Sequence, residues 1–196
     1  MCLEAVGAKL GRGADMVFLR RGERLSRMKT IISASARCVN RSRFFKGAIA
    51  AMKVLFSPLG LNYGTLYSAI LLTRPDRVVV VTSTEAISAL HGTLDAARFF
   101  HSHFEFETHL LEDALAGFAQ GRTLARFLAA SAGGDNIVNL SGGTAAMQDC
   151  ASQIVQTLRQ SGKNVREVAA IDRRDLLEQR RLPLVVGELV EVEMAS

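Results

Sequence analysis

Four consecutive valines, Val78 to Val81, sit inside the run Arg77–Thr82 and constrain the fold more than any other feature of the chain. A strand that is apolar at every position has both faces covered, which is the situation of a parallel sheet sandwiched between helices. The surrounding sequence agrees. Lys53 to Ser57 (KVLFS) predicts a short strand ending in the turn signal Pro58, Leu59, Gly60. Leu66, Ala69, Ile70 and Thr73 recur at helical spacing, and a second helix is expected from Thr84 to about Arg98, with Glu85 in its first turn. His103 to His109 alternates like a strand, and Leu111 to Ala130 reads as a helix with Leu111, Ala114, Leu115 and Phe118 inward. Asn136 to Val138 then leads into a helix carrying Met147, Ala151, Ile154, Val155 and Leu158 on one face. Val165 to Ile171 and Leu184 to Val192 read as closing strands, joined by the charged stretch DRRDLLEQRR.

Alternating strands and helices with short turns predict an α/β fold: a Rossmann-like, mostly parallel, doubly wound sheet of about six strands with helices on both faces. The domain is expected over residues 52–196. The net charge of +5 is unevenly spread, because residues 1–51 hold 11 of the 24 basic and 3 of the 19 acidic residues. The body is therefore slightly acidic, with 13 basic against 16 acidic residues, and no duplex nucleic-acid surface follows from the overall charge. The basic segment 1–51 has three readings: an arm, a transit peptide, or an upstream extension outside the native domain. The last is favoured because a complete domain begins with a strand at Met52. Three widely spaced cysteines (Cys2, Cys38, Cys150), without a CxxC pair, point to a reducing cytoplasm and to no zinc or disulfide framework. No apolar run approaches the roughly 20 residues of a bilayer span, so no membrane association is expected.

The fourth strand runs into NLSGGTAAM, Asn139 to Met147. Strand, glycine pair and helix in that order let a ligand approach the backbone, since no Cβ stands in the way. The N–H groups of the first helical turn then favour an anion such as phosphate. In a doubly wound sheet, ligands sit beyond the carboxyl ends of the strands where the strand order reverses. The first and fourth strands flank that point, so SPLGLNYG and SGGT should converge on one site.

These two loops, MKVLFSPLG and NLSGGTAAM in the same element order, resemble the CRISPR-associated Rossmann-fold (CARF) family over about residues 52–192. The resemblance implies a homodimer that binds cyclic oligoadenylate, with cyclic tetra-adenylate the expected ring, in type III CRISPR defence. It implies ligand contacts from Ser57, Leu59, Gly60, Leu61 and Asn62 in the first loop. From the second it implies Ser141, Gly142, Gly143 and Thr144, with Met147 and Gln148 on the helix behind. Many members place a Lys directly after GGT, where this chain has Ala145. Arg173 and Arg174 are candidate replacements, set against an ordinary solvated loop.

Two functions follow. The first is a metal-independent ring nuclease, in which a ribose 2′-OH attacks its own phosphate and leaves a 2′,3′-cyclic phosphate, with Ser57, Ser141 and Thr144 as donors. The alternative is a sensor that signals to a separate effector. No cofactor is expected. SPLGLNYG lacks the G-x-G-x-x-G of dinucleotide sites, and SGGTAAM lacks the frame and lysine of a P-loop. Asn139 stands where a hydrolase elbow wants its first glycine, so Ser141 reads as a hydrogen-bonding hydroxyl. On a strand, His101, His103, Glu105, Glu107 and His109 would share a face, but such neighbours lie about 7 Å apart and no metal site is assigned. Gly142→Val or Gly143→Val is expected to abolish binding with the fold intact.

Overall fold

The computed structural model describes residues 51–192, which fall within one compact unit, Ala48–Ser196. The basic segment expected as an extension lies outside the described residues, apart from Ala51. Five helices and six strands alternate: β1 (Lys53–Leu59), α1 (Gly64–Thr73), β2 (Arg77–Thr82), α2 (Ile87–Phe100), β3 (Glu105–Leu110), α3 (Phe118–Ser131), β4 (Asp135–Asn139), α4 (Ala145–Gln160), β5 (Val165–Ile171), α5 (Leu176–Arg181) and β6 (Glu188–Glu191). They form one sheet of order β3-β2-β1-β4-β5-β6. Strands β1 to β5 are parallel and β6 closes the edge antiparallel to β5. The expected α/β doubly wound architecture is thus observed.

Alternation along the central strands divides the core in two. Val54, Phe56, Val79, Val81 and Val138 pack against α3 and α4. Leu55, Leu59, Val78, Val80 and Ile137 pack against α1 and α2. The valine run of β2 therefore feeds both faces in turn, which is why no polar residue interrupts it. On the α3–α4 side the two helices approach closely at Gly121, where a Cβ would lie 3.3 Å from Cys150 Cβ. The Cys150 thiol is buried at that seam, and burial, with the nearby Asp149 charge, pushes its pKa up to about 12. It packs as a small apolar group.

Four boundaries differ from the sequence reading. Helix α3 begins at Phe118, not Leu111, because Asp113 Oδ1 accepts from the N–H groups of Leu115 (2.9 Å) and Ala116 (2.8 Å) and bends the chain into a turn. Leu115 and Phe118, expected inward, are consequently exposed, whereas Leu111 is buried and Ala114 packs on the core. Helix α2 starts at Ile87 after a turn that holds Thr84 and Glu85. Strand β3 starts at Glu105, so His101 and His103 are not on it; the His101 ring bonds Pro75 O at 2.8 Å instead. The charged stretch contains α5, whose start is marked by Asp175 accepting from Leu177 N (2.8 Å) and Glu178 N (2.9 Å). Asp175 and Glu178 in that spacing are a capping signal the sequence did carry.

Among the described residues no helix is long and apolar enough to cross a membrane. A single side chain ties the end of α3 to the end of α4: Lys163 Nζ donates to Ala129 O (2.7 Å), Ala130 O (3.1 Å) and Ala132 O (2.7 Å). The ammonium satisfies carbonyls that the helix leaves unpaired and sits favourably at its negative end. Lys163→Met keeps the stem and removes all three donors. It should lower unfolding stability by about 1–2 kcal/mol, read as a reduced urea midpoint at unchanged m-value.

Candidate ligand-binding site

Strand order reverses between β1 and β4, and the loops that leave their carboxyl ends meet there as expected. The meeting is backbone on backbone. A Cβ on Gly60 would lie 2.9 Å from Gly143 Cα, so neither a side chain nor a water separates the loops. Gly142 and Gly143 have φ of +88° and +71°, values that L side chains rarely adopt. The glycine pair thus serves the turn itself.

Asn139, at the end of β4, holds this junction together. Its Nδ2 donates to Ser57 Oγ (2.9 Å) and to Ser141 O (3.1 Å). Its Oδ1 accepts from Ser141 N (3.2 Å), Ser141 Oγ (2.7 Å) and Ala170 N (3.3 Å). Ser141 Oγ in turn accepts from Ala170 N at 2.8 Å. One fully buried amide therefore ties β1, the glycine turn and β5. Its identity was visible in the sequence only as the residue that spoiled a hydrolase elbow.

Above the junction opens a cleft of about 860 Å³, near the upper end of ordinary ligand sites. Gly60, Leu61 and Asn62 line it from the β1 loop, and Gly142, Gly143, Thr144 and Met147 from the turn and α4. Four expected contacts are placed elsewhere. Ser57 is 2% exposed and engaged with Asn139, and Leu59 belongs to the core. Ser141 spends its hydroxyl on Asn139 and Ala170, and Gln148 turns back to donate to Gly142 O at 3.2 Å. Thr144 does line the cleft, but its hydroxyl donates to Ala114 O. The three hydroxyls expected to act on a ligand are thus already paired within the protein.

Two further loops complete the cleft: Ser83, Glu85 and Ala86 after β2, and Glu112 to Leu115 after β3. They bring three carboxylates, and among the described residues no Lys or Arg lines the cleft. The Ser83 hydroxyl, the Glu85 backbone N–H and the Thr84 hydroxyl hold the Glu85 carboxyl below the usual range. The N–H groups of Ala116 and Leu115 do the same for Asp113. The arginines proposed as substitute cations point away: Arg173 pairs with Glu188, and Arg174 with Asp172 at 2.6 Å. A neighbouring hollow of about 370 Å³ shares Leu61 and Asn62 with the cleft and contains Arg180. Asn62 Nδ2 donates there to Gln179 Oε1 at 3.1 Å, joining the β1 loop to α5.

Among the described residues no group of three or more His, Cys, Asp or Glu is placed to hold an ion. Glu107 is committed to Arg77 (2.6 Å) and His109 (3.3 Å). Partial burial raises the Glu107 pKa, but its hydrogen bonds and ionic contacts with Arg77 and His109 outweigh it and leave it below the usual range.

No protein-family model and no curated protein matches the chain. Solved structures do. Can2 from Sulfobacillus thermosulfidooxidans, in complex with cyclic tetra-adenylate, is 13% identical at a TM-score of 0.47, over 61% of this chain and 32% of that one. A type III CRISPR defence DNA nuclease activated by cyclic oligoadenylate is 24% identical at a TM-score of 0.47, over 59% of this chain and 18% of that one. Protein VC1899 from Vibrio cholerae is 12% identical at a TM-score of 0.45, over 61% and 31%. The chain spans about a third or less of the length of these proteins.

The glycine geometry changes what substitution there should do. At Gly143 a Cβ would meet Met147 Sδ and Pro58 Cβ, both at 3.0 Å, and at Gly142 it would come within 2.6 Å of Thr65 Oγ1. A valine at either position therefore disturbs the turn before it disturbs a ligand, and loss of binding with an untouched fold is no longer expected. Gly143→Ala should cost about 1–2 kcal/mol for the left-handed backbone alone. Asn139→Ala should cost more, roughly 2–4 kcal/mol, because it strands several buried partners at once. Equal stabilities for Asn139→Ala and wild type in urea unfolding would contradict the network.

Proposed function

We propose that this chain is a receptor for cyclic oligoadenylate, acting as a homodimer in the cytoplasm in type III CRISPR defence, with cyclic tetra-adenylate as its ring. The observation that carries the reading is the junction of SPLGLNYG with NLSGGTAAM under an open cleft. The loops on which the family resemblance rests converge there, and α4 starts directly after the turn that lines the cleft, so its N-terminal end is available to an anion such as phosphate. Exposed Leu61 and Leu115 on the cleft lining are apolar surface that a second copy, or a stacked base, would cover.

The ring-nuclease reading is retained as the second. It requires donors to the scissile phosphate, and the backbone N–H groups of the turn are the ones left to provide them. The engagement of Ser57, Ser141 and Thr144 within the protein favours holding the ring over cutting it.

The test is direct. Full-length protein incubated with cyclic tetra-adenylate should bind it in calorimetry with one ring per two chains. The ring should be recovered intact by chromatography after single-turnover incubation, with or without EDTA. Release of fragments ending in a 2′,3′-cyclic phosphate would install the nuclease reading, and persistence of that release in EDTA would mark it as metal-independent. Ala145→Lys, which restores the cation many relatives carry, should then raise the rate. Absence of binding would remove both readings.

A further inference from the structure

The cleft has two chemically opposite walls. Along the β4–α4 side the lining residues Gly142, Gly143, Thr144 and Met147 carry no ionisable side chain, and their main chain opens a helix, whose first N–H groups favour an anion. Along the β2 and β3 loops are Glu85, Glu112 and Asp113, which as carboxylates only accept. A ligand that is anionic throughout would meet repulsion on the second wall; one with an anionic group at one end and N–H donors at the other would satisfy both.

The three acids are not equivalent. Asp113 spends Oδ1 on the N–H groups of Leu115 and Ala116. Glu85 accepts from the Thr84 hydroxyl at 3.2 Å. The Glu112 carboxylate has no hydrogen-bond partner among the described residues, while its backbone is fixed: Glu112 N donates to Gln120 Oε1 at 2.9 Å. The backbone of Glu112 is thus anchored while its carboxylate is left for a ligand. Leu61 and Leu115, exposed at 78% and 77%, flank the same space with apolar surface suited to the faces of a flat ring.

We propose that Glu112, with Glu85 beside it, selects the base of the bound nucleotide by accepting hydrogen bonds from its exocyclic amine. The inference rests on the receptor reading and deepens it: the glycine turn takes phosphate, and the acidic wall reads the amino edge. A carboxylate opposite an amine is a discriminating contact, because a bound ring without the amine would cover the Glu112 carboxylate and displace its water without giving it a partner.

Calorimetry on the full chain can separate the two claims. The ligands are cyclic tetra-adenylate and the same ring carrying purine, which lacks the amine, in place of adenine. Wild type should prefer the adenine ring by about tenfold or more. Glu112→Ala should reduce that preference to about threefold or less, by weakening adenine binding alone, with affinity for the purine ring unchanged or raised as a negative charge is removed. Glu112→Gln, which keeps one acceptor oxygen, should fall between. Glu112 is exposed, so both variants are expected to fold. Equal loss of affinity for both rings in Glu112→Ala, or equal binding of both rings by wild type, overturns the assignment while leaving the receptor reading in place. Failure of wild type to bind either ring overturns the receptor reading and this inference with it.

Discussion

The contact between Gly60 and Gly143 is the constraint on which the site depends. Loops that leave adjacent parallel strands start about 4.8 Å apart, so they either diverge or give up their side chains. Here they give up side chains, and the backbone of one rests on the other. That closeness buries polar groups that need partners, and Asn139 provides them from one amide. In a low-dielectric interior such a network is strong when complete and costly when broken. The glycine pair and the asparagine are therefore two halves of one solution: the first lets the loops touch, the second makes touching tolerable.

Most of the fold was legible because burial writes itself into periodicity. The valine run marked a strand covered on both faces, and β2 indeed alternates between the two core clusters. The adjacency of β1 and β4 followed from the same pattern, and with it the convergence of the two loops. What periodicity could not show was local capping. Asp113 halts an apolar pattern that continues through Leu115 and Phe118, and Asp175 starts a helix that has no buried residue to reveal it. In both places a side-chain carboxylate competes with the hydrophobic pattern for the backbone N–H groups, and it decides the boundary.

The site was legible in its centre and not at its sides. Gly60, Leu61, Asn62, Gly142, Gly143, Thr144 and Met147 line the cleft because the turn chemistry requires it. Ser57 and Ser141 were expected as ligand donors from the family resemblance, yet a hydroxyl beside a glycine turn has the option of stabilising the turn, and both take it. The walls from β2 and β3 went unread because acidic loop residues ordinarily mean solvent. Only the strand order, which sets β2 and then β3 on one side of β1, brings Glu85 and Glu112 to the same cleft.

That acidic wall bears on whether a bound phosphodiester would be held or cut. Attack by a ribose on its own phosphate gathers negative charge in the transition state, and catalysis needs donors or cations that bind this charge more strongly than the ground state. The cleft sets the glycine turn and the start of α4 on one side against carboxylates on the other, and among the described residues no Lys or Arg lines it. At a distance such repulsion is softened by salt, so a ring with one charge per phosphate remains an acceptable ligand. The extra charge of the transition state would be felt more fully, at close range and away from water. Residues that help recognise a base would thus work against cleavage of the chain that carries it. Under the receptor reading proposed above, such a cleft would favour holding the ring over cutting it.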